Sequence, residues 1–371
     1  MSGAGGWRGW AAQAWVGGRW QTGVLLEADA QGHWHTVRPG TPCPAGLQPL
    51  AGPVLPGLVD AHSHAFQRAF AGLSERRAEA HDDFWSWRAR MYRVAAQVDP
   101  AALHAIAAHL FHELIEGGYT QVCEFHYLQH QPDGRPYDDP LALGEALRRA
   151  AAETGIGLTL LPVLYERAGF GADALTPQQA RFRLDADGVW AAASHWQAQA
   201  SATFRAGLAI HSLRGARPAQ IHRLAEQAQG WQGPIHLHVA EQTGEVEDCL
   251  RDTGCRPVEW LLREGLLDAR WQLVHATHVH ADEISGVARS GAGVVICPGT
   301  EADLGDGLTD LGGWLGAGVP ISVGSDSQVS REWREELRWL EWGQRLQRRQ
   351  RNLSAAPEAG RPATAERLFE A

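Results

Sequence analysis

An α/β fold, a (β/α)8 TIM-like barrel with a small β unit at its N-terminus, is what this 371-residue sequence predicts, and three observations lead to it. From Pro53 onward, eight short apolar runs recur, each separated from the next by a helix-length amphipathic segment. Strand-like runs alternating with helices specify βα units and a parallel sheet, and eight of them favour closure over an open sheet. Several runs end in His, Asp or Glu, and a parallel barrel gathers its functional groups at those strand ends. The length suits one barrel with some appended structure.

The first fifty residues read as short strands: AQAWV, a Gly17-Gly18 turn, RWQTGVLLEA, and HWHTV after Gln31-Gly32. These form a small β-sandwich-like unit over residues 1–52, and the metal-dependent barrel takes residues 53–371. The eight barrel runs are PVLPGLVDA, TQVCEF, GLTLLPVL, RAGLAI, PIHLHVA, WQLVHA, GVVIC and VPISVG. Helix punctuation lies between them. Asp99-Pro100 opens a helix that Gly117-Gly118 closes, and Asp139-Pro140 and Thr176-Pro177 open two more. No internal repeat and no long low-complexity segment interrupts the pattern.

Composition excludes several function classes. Apolar residues make up 44% of the chain, near the globular average, and no stretch approaches the roughly 18 consecutive apolar residues of a membrane helix. The opening MSGAGGWRGW lacks the regions of a signal peptide, so a cytoplasmic protein without a membrane partner is expected. A net charge of −10 argues against nucleic acid, which wants a basic face. The basic cluster RLQRRQR at Arg345–Arg351 is expected to be the solvated face of a helix. Five scattered cysteines, with no C-x-x-C pair, are expected as free and mostly buried thiols. A metal must therefore be sought among carboxylates and the 18 histidines.

The first run ends Asp60-Ala61-His62-Ser63-His64. Residues i and i+2 of an extended chain project to the same side, so both imidazoles can reach one ion at the barrel mouth. An isolated H-x-H is weak, because two histidines on a polar strand end look the same. Context strengthens it: the fifth run ends His236-Leu237-His238-Val239-Ala240-Glu241, the sixth holds His275, and the eighth ends Gly324-Ser325-Asp326. His62, His64, His238 and Asp326 together suit one Zn²⁺ per chain, although Fe²⁺ or another divalent ion fits the same donors. Glu241, three residues beyond His238, can stand beside the ion without binding it and move protons to a leaving nitrogen. The plainer readings are a surface glutamate for Glu241 and a helix cap for Asp326. His104, His109 and His112 share one predicted helix and are read as surface or core histidines, and His278 and His280 as loop residues.

These segments resemble the amidohydrolase superfamily and, within it, the N-formimino-L-glutamate deiminases of histidine degradation. The likeness spans nearly the whole chain, in LPGLVDAHSHAFQRAFAGL, FWSWRARMYR, EFHYLQH, IHSLR, HLHVAEQ, LVHATH, EADLGDG and GSDSQVS. It implies zinc on His62, His64, His238 and Asp326, Glu241 as acid/base, and His275 against the attacking water. It also implies a small dicarboxylate substrate held by Arg88 and Arg214, with help from Gln67, Tyr127 and His211. Guanidinium forks suit that task because they bind carboxylates in bidentate geometry. The implied reaction converts N-formimino-L-glutamate and water into N-formyl-L-glutamate and ammonia, in a homodimer. The alternatives are another amidine, purine or pyrimidine substrate, or an inactive binding subunit. Two departures stand out: Gln328 replaces an expected histidine, and the chain stops at RLFEA, about where the family's final barrel helix begins. A truncated C-terminal part is expected to leave AQAWV and GVLLEA with an unpaired edge.

Overall fold

The computed structural model describes residues 6–75, 77 and 82–371, in two compact units that divide after Leu58. In the first unit, β1 (Arg8–Trp15), β2 (Trp20–Ala28) and β3 (Trp34–Arg38) form an antiparallel sheet in the order β1-β2-β3. Gly17 and Gly18, both at positive φ, make the first turn. Ala11, Ala14, Val24 and Leu26 bury one face, covered by Val16, Leu50 and Val54. The expected unpaired edge is not found. β2 is central in the sheet, and the outer edge of β1 pairs with residues 49–54 through Leu50 N to Trp10 O at 2.8 Å and Val54 N to Gln13 O at 3.0 Å. The segment leaving the sheet folds back on β1 and satisfies the backbone groups an open edge would expose.

The second unit is the barrel. Its strands are β4 (Leu58–Ser63), β5 (Tyr119–His126), β6 (Gly157–Leu164), β7 (Phe204–Ala206), β8 (Leu208–Ser212), β9 (Ile235–Val239), β10 (Trp271–His275), β11 (Gly293–Ile296) and β12 (Ile321–Val323). Hydrogen-bonded neighbours run β12-β11-β10-β9-β8-β6-β5-β4, with β7 paired to β6. The seam between the first and last strands closes through Asp326 N to His62 O at 2.9 Å and His64 N to Asp326 O at 3.1 Å. All residues of β6 and β9 are buried, as a parallel sheet flanked by helices requires. Each of the eight runs supplies a strand, and RAGLAI contributes the end of β7 and the start of β8. Gly207 lies between these two, where a Cβ would come within 2.3 Å of the Leu161 side chain.

The helices follow the punctuation with one correction. Asp99 caps helix Pro100–Glu116, which ends at Gly117. Asp139 accepts from Leu141 N just before helix Ala142–Thr154. Thr176-Pro177, however, opens only a single 3₁₀ stretch, Pro177–Phe182, and the α-helix begins at Ala186, capped by Asp185. The buried side chains of Gln179, Arg181 and Phe182 hold that stretch to the barrel mouth. The Thr176–Gln179 capping box forms as a helix start would, and Arg181 donates to the carbonyls of Ala95, Val98 and His130. The basic cluster lies at and beyond the end of helix Trp333–Arg348, half-buried at Arg345 and exposed from Leu346 to Arg351. Cys43 is exposed and the other four cysteines are buried thiols. His104, His109 and His112 pair with Glu153, Glu113 and Glu116 on the surface. Among the described residues, no helix is long and apolar enough to cross a membrane.

Candidate metal and catalytic site

Three strand ends deliver the four predicted ligands to one point. His62 and His64 leave β4, His238 lies in β9, and Asp326 follows β12. His62 Nε2 stands 3.2 Å from His64 Nε2 and 2.9 Å from His238 Nε2, and Asp326 Oδ1 lies 3.4 Å and 3.3 Å from His62 and His64 Nε2. The tautomers follow from the other ring nitrogens. His64 Nδ1 donates to Phe125 O at 3.0 Å and His238 Nδ1 to His211 O at 2.8 Å, since a carbonyl can only accept. Burial lowers the pKa of all three imidazoles, favouring the neutral form. With the proton on Nδ1, the Nε2 lone pairs of His64 and His238 both face His62 Nε2, and Asp326 Oδ1 lies against His62 and His64, so acceptors converge on one point. The donor set therefore fits a divalent metal.

The surrounding chain is built to bring these strand ends together. Gly324 is needed at the seam, where a Cβ would lie 2.7 Å from His62 Cβ and 2.8 Å from His62 O. Asp60, absent from the sequence-derived site, locks the same seam by accepting from Ser325 N at 2.8 Å and Ser325 Oγ at 2.5 Å. Complete burial raises its pKa to about 7 against those hydrogen bonds. Gln328 stands where a histidine was expected, and it too is structural: Nε2 donates to Ser63 Oγ and Asp326 O, each at 3.0 Å. Backbone strain concentrates at this mouth, with Ala240 (φ 52°), His275 (φ 68°), Ala276 (φ 46°) and Asp326 (φ 48°) all left-handed without being glycine.

Beside the cluster lie Glu241 and His275, both buried. His275 Nε2 is 3.6 Å from Glu241 Oε1 and 3.8 Å from Asp326 Oδ2, while Nδ1 faces Glu301 Oε1 at 3.3 Å. Burial opposes charge on His275, yet Glu241, Glu301 and Asp326 outweigh it and carry its pKa up to about 10. Burial raises Glu241, partly offset by His275 and Arg214. Glu301 escaped the sequence reading because it acts only through His275. Its signal was the buried acid of EADLGDG, a segment singled out without a role for that residue.

These groups open into one pocket, lined by His64, His238, Glu241, His275 and Asp326 and by all five expected substrate contacts, Gln67, Arg88, Tyr127, His211 and Arg214. His62 lies beneath it, with no solvent exposure. Arg88 is half-buried on helix Phe84–Ala95, its guanidinium 4.5 Å from the Trp85 ring, and among the described residues it forms no ion pair. Gln67 Nε2 donates to Tyr127 Oη at 3.0 Å, leaving Oε1 buried without a partner. His211 stacks on Tyr165 with ring centroids 4.0 Å apart. Arg214 is 94% buried, next to Glu241 and Glu245; the latter was also missed from sequence.

The sequence model of the amidohydrolase family matches residues 54–360. A formimidoylglutamate deiminase of Pseudomonas aeruginosa is 45% identical over 335 residues, 90% of this chain and 73% of that protein. A 5-methylthioadenosine/S-adenosylhomocysteine deaminase of Natronomonas pharaonis is 28% identical over 75% of this chain; the chain spans 58% of its length, less than two thirds. Among solved structures, an amidohydrolase from Brucella melitensis superposes with a TM-score of 0.91 at 38% identity, covering 98% of this chain and 80% of that one.

Proposed function

The chain belongs to the amidohydrolase family, and on that premise we propose that it hydrolyses N-formimino-L-glutamate to N-formyl-L-glutamate and ammonia, using one zinc ion per chain. One observation carries the reading: a single pocket is lined both by a His/Asp metal cluster with its adjacent Glu241 and His275, and by two arginines suited to a dicarboxylate. Three imidazoles and one carboxylate match zinc chemistry, with Fe²⁺ as the other ion the donors accept. When bound, the ion supplies Lewis acidity that makes water nucleophilic near neutral pH.

The residues do the rest. Asp326 accepts the proton of the water that attacks the formimino carbon. His275, held at Nδ1 by Glu301, keeps Nε2 towards the tetrahedral centre. Glu241 takes the other proton of that water and delivers it to the departing nitrogen, which otherwise would leave as a poor amide-like anion. Arg88 and Arg214 bind the substrate carboxylates, and Gln67, Tyr127 and His211 complete the wall. Arg88→Ala is expected to raise KM by about 10- to 100-fold while kcat changes little, because the residue removes a charge-assisted contact and touches no proton-transfer group. A Michaelis–Menten comparison checks this; an unchanged KM would place the carboxylates elsewhere.

The test of the function is product analysis with metal-loaded protein. N-formyl-L-glutamate and ammonia in equal amounts are expected. Formamide and glutamate would show that the other C–N bond breaks, and no turnover would refute the substrate.

A further inference from the structure

Glu241, the proposed proton carrier, is held at both of its oxygens. Oε1 faces His275 Nε2 at 3.6 Å and Oε2 faces Arg214 Nη2 at 3.5 Å. Each oxygen keeps a further lone pair, so a leaving nitrogen can approach, but it competes for the carboxylate with the Arg214 and His275 contacts. The His275 side is fixed, because Glu301 Oε1 faces its Nδ1 at 3.3 Å and also accepts from Cys297 N at 3.0 Å. The Arg214 side is loose. Charge-assisted guanidinium–carboxylate hydrogen bonds close to about 2.7–2.9 Å. Arg214 instead stands 3.5 Å from Glu241 and 3.7 Å from Glu245, and its Nε completes no hydrogen bond. The two acids differ in freedom. Glu245 is fully buried at the start of helix Thr243–Thr253, with Oε2 also accepting from Glu241 N at 3.3 Å, whereas Glu241 lines the pocket.

We propose that Arg214 couples recognition to chemistry: a substrate carboxylate draws its guanidinium off Glu241, with Glu245 as the fixed anchor, and thereby frees Glu241 to transfer a proton. This rests on the assigned reaction and extends it. Arg214 becomes a specificity-determining residue that acts on kcat as well as on KM. A neutral ligand of the same shape leaves the restraint in place, so it binds more weakly and also reacts more slowly once bound. A simple binding arginine would affect binding alone when ground state and transition state use the contact equally.

The test compares N-formimino-L-glutamate with the isosteric diamide, in which both carboxylates are carboxamides, on metal-loaded protein. The diamide is expected to lose about 10- to 100-fold in kcat, the size of one charge-assisted hydrogen bond, in addition to its higher KM. Arg214→Gln, with metal content verified, is expected to bring the two kcat values within about threefold of each other. A diamide with unchanged kcat and only a raised KM overturns the coupling while leaving the assigned reaction standing. An Arg214→Gln enzyme that keeps the full kcat gap also overturns it. Absence of turnover of N-formimino-L-glutamate itself refutes the reaction and, with it, the coupling.

Discussion

Glu241→Gln is expected to bind its metal at the wild-type stoichiometry and to lose about 10²- to 10⁴-fold of turnover, the range general acid–base catalysis supplies. The residue is not among the four converging ligands, so the ion should remain. The substitution is nearly isosteric, so packing against Arg214 and His275 should survive. What it removes is the ability to accept and return a proton beside a nitrogen that must leave protonated. Elemental analysis together with steady-state kinetics separates the two claims. Near-full activity with metal present would remove Glu241 from the mechanism, and loss of metal would make it a ligand.

Removing the metal should have the largest effect of all, on turnover and on stability together. Chelation is expected to abolish activity and lower Tm by roughly 5–10 °C, since a ligand at a thousand times its Kd stabilises a protein by about 4 kcal/mol. The physical cause lies in the cluster, where neutral buried imidazoles present their Nε2 atoms to one another at 2.9 Å and 3.2 Å. Without a cation, one proton on His62 Nε2 cannot satisfy both neighbouring imidazoles and Asp326 together. Returning zinc should restore both properties at about one ion per chain, whereas His238→Ala should lose both with no rescue. Calorimetry with and without chelator reads the outcome. An equal Tm and equal turnover after verified metal removal would refute the metal site.

The main features of the barrel and the grouping of its strand-end histidines and aspartate were legible along the chain because each depends on local periodicity. Strands have period two, so His62 and His64 point to one side by spacing alone, and apolar runs of strand length mark the sheet. Acidic and imidazole groups at the ends of those runs were readable because a parallel barrel collects such ends on one face. The small N-terminal strands were readable for the same reason, but the segment that closes the edge of β1 was not, because it carries no strand signal of its own.

What only the tertiary structure decided is who supports whom. Asp60 meets Ser325 across 265 residues, Glu124 accepts from Ser63 across 61, and Glu301 reaches His275 across 26. The 3₁₀ stretch that begins at the expected helix start carries Arg181, which reaches carbonyls 83 and 51 residues away. Arg214 and Glu241 could each be picked out along the chain, yet their mutual contact could not. Sequence periodicity reports which side a residue faces. It carries no record of which distant residue shares that side, because long-range partners are chosen by closure of the barrel and by the need to pair every buried charge and polar atom.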